Sequence, residues 1–212
     1  MRTLTKDSDI YEIRDKIVKI YLKRILRRFK QLNQRLISFD EINVLSEVNA
    51  AYDDVIDITV EALKEVSRRT YKWLNGRDDD FPVDMWLSGY LKEPDPVLHY
   101  IFYDEADRKR SRLYEAIESV TTKAGRKEQI DIGLRYWSKQ FEQTADNVVG
   151  DVTLLVYNNN GVNYVKWMTW RDAKVCAECD RRQGKIYPIN SDQLRKLHWN
   201  CRCWWIPVGK IG

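Results

Sequence analysis

Four cysteines and one histidine near the C-terminus carry the residue chemistry that stands out in this sequence. They fall as Cys176-x2-Cys179, an interval of 18 residues, then His198-x2-Cys201-x-Cys203, with no cysteine elsewhere. A C-x2-C turn aims two thiolates at one ion and leaves backbone amides free to bond the sulfurs. A second pair arriving from a distant segment completes a tetrahedron. Soft sulfur with imidazole suits zinc, whose binding at about 10–16 kcal/mol can supply much of the folding energy of a small module. Five donors compete for four places. Cys176, Cys179, His198 and Cys201 are the preferred set, with Cys203 as the alternative fourth ligand, since residues two apart on a strand face one side. Two disulfides and free buried thiols are the competing readings. A thiolate-rich shell without a nearby carboxylate reads as a closed, structural site.

Other patterns of catalysis are missing. His99 is the one further histidine, set in an apolar stretch, Val97-Leu-His-Tyr-Ile-Phe102, that reads as helical with a core or edge role. No H-E-x-x-H, G-x-S-x-G or phosphate-binding glycine loop occurs. Carboxylates at helical spacing, such as Asp53, Asp57 and Glu61, belong to an acidic helix face. The chain is therefore not expected to be an enzyme, and no small-molecule substrate is expected.

The elements that position the donors follow from periodicity. Val18, Leu22, Ile25, Phe29, Leu32 and Leu36 form a heptad seam in a helix from Ile10 to about Leu36. Its other face is basic: Arg14, Lys16, Lys19, Lys23, Arg24, Arg27, Arg28, Lys30 and Arg35 against Asp15. Alone, that face would suit nucleic acid or a membrane surface. Ser38-Phe-Asp-Glu41 fits a capping box opening a second helix, from about Asp40 to Leu74, whose charges are mainly acidic. A basic and an acidic helix joined by a short turn predict an antiparallel hairpin. Further helices are predicted over Pro82–Leu91, Val97 to about Val120 and Arg126 to about Tyr157, with Val152–Tyr157 equally readable as a strand. After the Asn158–Gly161 turn, Val162–Trp170 alternates like a strand. The expectation is a mainly α protein, a long helical hairpin plus further helices over residues 1–157. A small zinc-binding β/loop module follows over 158–212.

Bulk properties limit the partners. The 212 residues are 43% hydrophobic and 12% aromatic, the composition of an ordered chain. No apolar run approaches the roughly 18–20 residues of a membrane span, so no membrane partner is expected. The N-terminus lacks the pattern of a signal peptide, which predicts folding in a reducing cytoplasm where clustered cysteines bind metal. The net charge of +4 is unevenly spread: residues 164–212 hold ten Lys/Arg against four Asp/Glu. Lys174, Arg181, Arg182, Lys185, Arg195, Lys196 and Arg202 are the candidate contacts to nucleic acid or a protein partner, interleaved with Trp199, Trp204 and Trp205. The competing reading is a solvated basic surface over tryptophans that pack a small core.

The order Trp167-Met-Thr169-x2-Asp172-x2-Val175-Cys176-x2-Cys179-x4-Gly184-Lys185, followed by His198-x-Asn200-Cys201-Arg202-Cys203 and Pro207, resembles the phage head morphogenesis family, the minor head proteins related to the F protein of phage Mu. The resemblance covers residues 125–208 and is specific from about 164 onward. It departs from the family where Leu197 and Trp199, rather than prolines, flank the histidine. It implies a virion component, assembled in the host cytoplasm, that associates with portal and capsid proteins and assists head assembly and DNA packaging or ejection, with packaged DNA as a further partner. A cytoplasmic zinc-ribbon module binding nucleic acid and a zinc-dependent nuclease are the alternatives.

Overall fold

A computed structural model describes residues 1–3, 9–38, 43–76, 81–95, 97, 99–170, 175–196, 198, 201 and 203–209. Helix α1 (Asp9–Ser38) and helix α2 (Val44–Asn75) pair along the heptad seam. Val18, Ile25, Phe29, Leu32 and Leu36 are all buried there. Arg24 meets Glu61 at 2.7 Å, Arg28 meets Asp54 at 2.5 Å and Arg35 meets Glu47 at 2.9 Å. The partners run in opposite order along the two helices, so the hairpin is antiparallel with the charge compensation expected. These exposed pairs contribute about 0–1 kcal/mol each and mainly fix orientation. Beyond Ser38, the expected capping box lies outside the described residues. The cap of α2 is Asn43, whose side-chain oxygen accepts from the Ser46 amide at 3.0 Å. Gly76 ends α2 in the left-handed region, φ 78°, with its amide bonded to the Lys72 carbonyl at 2.9 Å.

Helix α3 (Val83–Tyr90) follows Pro82 and is fastened to α2 by aromatics, with Phe81 stacked on Tyr71 at 4.5 Å. Helix α4 (Phe102–Glu118) starts later than its apolar lead-in suggests. The Asp95 carboxylate accepts from the Val97 amide at 2.8 Å, and the Asp95 and Tyr100 backbones close the loop at 3.0 Å. Those local bonds compete with helix formation. His99 therefore sits exposed in a turn, with φ 58°, and not in a helix. Helix α5 (Lys123–Asn159) runs unbroken through Val152–Tyr157, capped by Thr122. Trp137 on α5 is buried against Tyr52 and Phe102, and its indole N–H donates to the Thr59 hydroxyl at 3.1 Å.

Strand β1 (Tyr164–Thr169), helix α6 (Ala177–Arg182), strand β2 (Ile186–Pro188), a 3-10 turn (Asp192–Leu194) and strand β3 (Cys203–Val208) complete the described elements. The sheet is antiparallel with order β2-β1-β3, and Trp167 lies opposite Trp205 and Thr169 opposite Cys203. The chain is thus mainly α with a small C-terminal β module. Its buried side chains form one cluster that passes from α5 into the sheet, across the boundary expected near residue 157. Trp205 makes the join, crossing Trp167 edge to face at 5.9 Å and lying over Gly150 of α5.

Candidate metal centre

The C-x2-C segment is built as a helix cap. Cys176 stands in extended backbone at the start of α6, and its Sγ accepts from the Cys179 amide at 3.3 Å. This places the Cys179 sulfur beside the first. After α6, Gln183 turns back to β1: its side-chain oxygen accepts from the Thr169 amide at 2.6 Å and from the Thr169 hydroxyl at 2.9 Å. Gly184, at φ 78°, then lets its own amide reach the Trp167 carbonyl at 2.8 Å, while the Trp167 amide donates to Lys185. The W-x-T…C-x-x-C…G-K pattern is therefore a strand, a capped helical turn and a glycine return, each holding the next. In the second donor segment the Cys201 amide bonds the His198 carbonyl at 3.2 Å, and β3 begins at Cys203.

Two donor groups result, Cys176–Cys179–His198 and Cys179–Cys201–Cys203, each with its ligand atoms within 4.8 Å of one another. Cys179 belongs to both. Its sulfur is 3.2 Å from His198 Nε2 and 3.6 Å from Cys201 Sγ. Bonds of about 2.3 Å to sulfur and 2.0–2.1 Å to nitrogen in a tetrahedron imply donor separations of roughly 3.5–3.8 Å. The 3.6 Å sulfur–sulfur spacing fits a metal ion, and the 3.2 Å sulfur–nitrogen spacing is about 0.3 Å short of that geometry. All four cysteines are free thiols, with Cys179, Cys201 and Cys203 buried and Cys176 half-buried. Among the described residues no carboxylate and no His99 atom joins either group. The five sequence-predicted donors are thus brought together, and Cys201 and Cys203 both lie within reach of Cys179.

The electrostatics explain why such a cluster wants a cation. Hydrogen bonding with Cys201 and Cys203, then burial, drives the Cys179 thiol far above its ordinary range. Cys203 is pulled down by its bond with Cys179, but bonding with Cys201 and burial outweigh this and push it up to about 12. Cys176 differs: burial raises it, yet backbone and side-chain bonds with Cys179 and the nearby His198 hold it below the usual thiol value. Several thiolates cannot ionise side by side in a buried site without a counter-charge, and a soft divalent ion supplies it. The residues fit a metal; the chemistry it would supply here is cross-linking of two chain segments.

The basic residues fare less uniformly. Lys174 and Arg202 lie outside the described residues. Arg181 and Arg182 both pair with Glu178. Arg182 also donates to the Gln193 carbonyl at 2.6 Å and lies over the Trp167 ring, so it is part of the module's frame. Lys185 is exposed, and Arg195, also exposed, is 3.7 Å from Asp192. Lys196 is not a surface contact at all: it is 6% exposed and paired with Asp146 of α5. Its long apolar stem lets it run inward to that carboxylate. Trp204 and Trp205 are buried and pack the core, as the competing reading held.

Several structural residues escaped sequence reading. Gln183, and the Asp146–Lys196 pair that ties module to helix, carry no local signal. Gly150 did carry one, because a glycine inside an apolar helix often marks a close approach. Comparison with protein-family models, curated proteins and solved structures finds no match to this chain.

Proposed function

We propose that this chain is a phage minor head protein of the head morphogenesis type. In this reading it is a structural virion component that docks at the portal, and its C-terminal module is fixed by a structural zinc ion. The observation that carries the reading is that the motif residues behind the family resemblance are also the residues that build one donor cluster. Trp167, Thr169, Gly184 and the cysteines each have a distinct task there. Cys176, Cys179, His198 and Cys201 would hold the zinc, with Cys203 beside them. A zinc-ribbon gripping nucleic acid is less well supported, because Arg181, Arg182 and Lys196 are already engaged within the chain. A zinc-dependent nuclease needs a second histidine at the metal, and His99 belongs to neither donor group.

The test is metal analysis of the reduced, purified chain combined with co-expression alongside a phage portal protein. One zinc per chain and a complex with portal that survives gel filtration are expected. Zinc without portal association would remove the assembly reading and leave the metal site standing.

A further inference from the structure

We propose that the cleft between α1, α5 and the C-terminal module is a docking groove for an amphipathic helix of a partner protein that is acidic along one flank. The proposal does not depend on the assembly reading above.

The cations of α1 divide into two sets. Arg24, Arg28 and Arg35 are paired by α2, Arg14 by Asp15 and by Asp146 of α5, and Lys16 by Glu12 at 3.8 Å. Lys19, Lys23, Arg27 and Lys30 are exposed and have no ion pair among the described residues. At about 100° per residue these four fall within an arc of about 80°, one line along the helix. No acidic residue occurs in α1 after Asp15. The compensation expected between α1 and α2 therefore covers only one edge of the basic face.

The uncompensated line borders an apolar hollow. A cleft of about 760 Å³ runs beside α1 from Tyr11 to Leu26, and Lys19 and Lys23 stand on its rim. The stretch from Arg14 to Leu26 spans roughly 18 Å, about three helical turns. Val18, Leu22, Leu134 and Trp170 line it, and Leu26 at its edge is 38% exposed. The opposite rim, on α5, carries Ser138 and the exposed Glu142. Deeper in, Asp146 pairs with both Arg14 and Lys196, and Asp15 meets Arg14 Nε at 2.7 Å, so two carboxylates balance two cations and an occupant need bury no charge of its own there.

Charge complementarity selects the occupant. A helix laid in the groove would present apolar residues at i, i+3, i+4 and i+7 to the floor. Its carboxylates would face Lys19 and Lys23, and its other flank, neutral or basic, would face Glu142. A nucleic acid would use the lysine line and leave the apolar floor empty. The cleft also touches Cys201 and Cys203, so the occupant would rest against the metal-binding module.

The experiment uses the full chain and two fluorescein-labelled amphipathic peptides about four turns long. Both have leucines at groove spacing; one has glutamates on a flank and its twin has lysines in their place. Fluorescence anisotropy should give at least about tenfold tighter binding of the acidic peptide. Lys19→Glu/Lys23→Glu, both exposed, should reverse the preference. Leu26→Asp should weaken the acidic peptide by about tenfold or more while circular dichroism stays unchanged. Equal binding of the twins, no binding of either, or a preference indifferent to the double variant overturns the proposal. So does displacement by duplex DNA together with indifference to Leu26→Asp, which would make the lysine line a nucleic-acid surface.

Discussion

The helical body and the C-terminal module protect their tryptophans by opposite means. Trp137 lies where α2, α4 and α5 meet, among aromatic neighbours and with its N–H bonded to Thr59. Helices of 30, 32, 17 and 37 residues surround that region, so the loss of one contact leaves many others. Trp167 and Trp205 instead sit on two directly paired strands of six residues each, flanked among the described residues by one strand of three. A sheet of that size cannot bury enough apolar surface to fold alone. The module depends on a few specific constraints: the donor cluster, one close approach over Gly150 and one buried charge pair. Size thus decides whether stability comes from redundancy or from cross-links.

The comparison breaks most sharply at Cys179, the donor common to both groups. Cys179→Ser, or a strong chelator, should unfold the module while the helices persist. Losing a structural zinc removes on the order of 10–16 kcal/mol of binding free energy, far more than any single packing change. Tryptophan fluorescence should shift to the red as Trp167, Trp204 and Trp205 become wet, with far-UV circular dichroism nearly constant. A loss of helical signal in parallel would mean that body and module fold as one unit.

The join between the two regions is tested next, at Gly150. A Cβ placed there would come within 2.6 Å of Trp205 Cζ3 and 3.0 Å of Cη2. In an ordinary helix interior, glycine to alanine stabilises by roughly 0.5–1 kcal/mol. Here overpacking should reverse the sign and cost about 1–3 kcal/mol. Urea denaturation of Gly150→Ala measures this, and Trp205→Leu in the same background should recover part of it. A Gly150→Ala protein more stable than the parent would show that β3 rests only loosely on α5.

What could be read in advance follows the same division. The heptad seam of α1 and the acidic complement on α2 specify the hairpin, because helical periodicity and charge are written residue by residue. The five candidate donors were legible for a similar reason: C-x2-C and H-x2-C-x-C are local patterns, even though the interval between them is not. His99 was misplaced, since the Asp95 side chain captures the Val97 amide and delays α4, a turn that apolar content conceals. The basic residues misled most. Sequence shows a charge but not its partner, so Lys196 looked like a surface contact while Asp146, fifty residues away, holds it inside. Among the described residues, α1 also carries a line of exposed cations without an ion pair, Lys19, Lys23, Arg27 and Lys30, where the sequence showed only an abundance of charge.

Asp151 gives the finest probe of the seam between body and module. Burial, the dominant cause, raises its carboxyl from 3.8 to about 6, with Asp95 adding to the rise. The Tyr90 hydroxyl, Lys196 and Arg195 oppose that rise. The folded chain therefore holds this proton more tightly than the unfolded chain does. Between about pH 4 and pH 6 the native state carries more protons, so this group's contribution to stability declines as pH rises and stays low above about 6. Asp151→Asn, which mimics the protonated form, should match the parent below about pH 4 and exceed it by at most about 3 kcal/mol at pH 7. Urea denaturation of both proteins across that window measures the difference. The gain should persist whether or not the donor cluster is intact if Tyr90 and α5 alone set the burial. If it disappears on chelation, undocking of the module has let water reach Asp151, and the raised carboxyl is a property of the docked state.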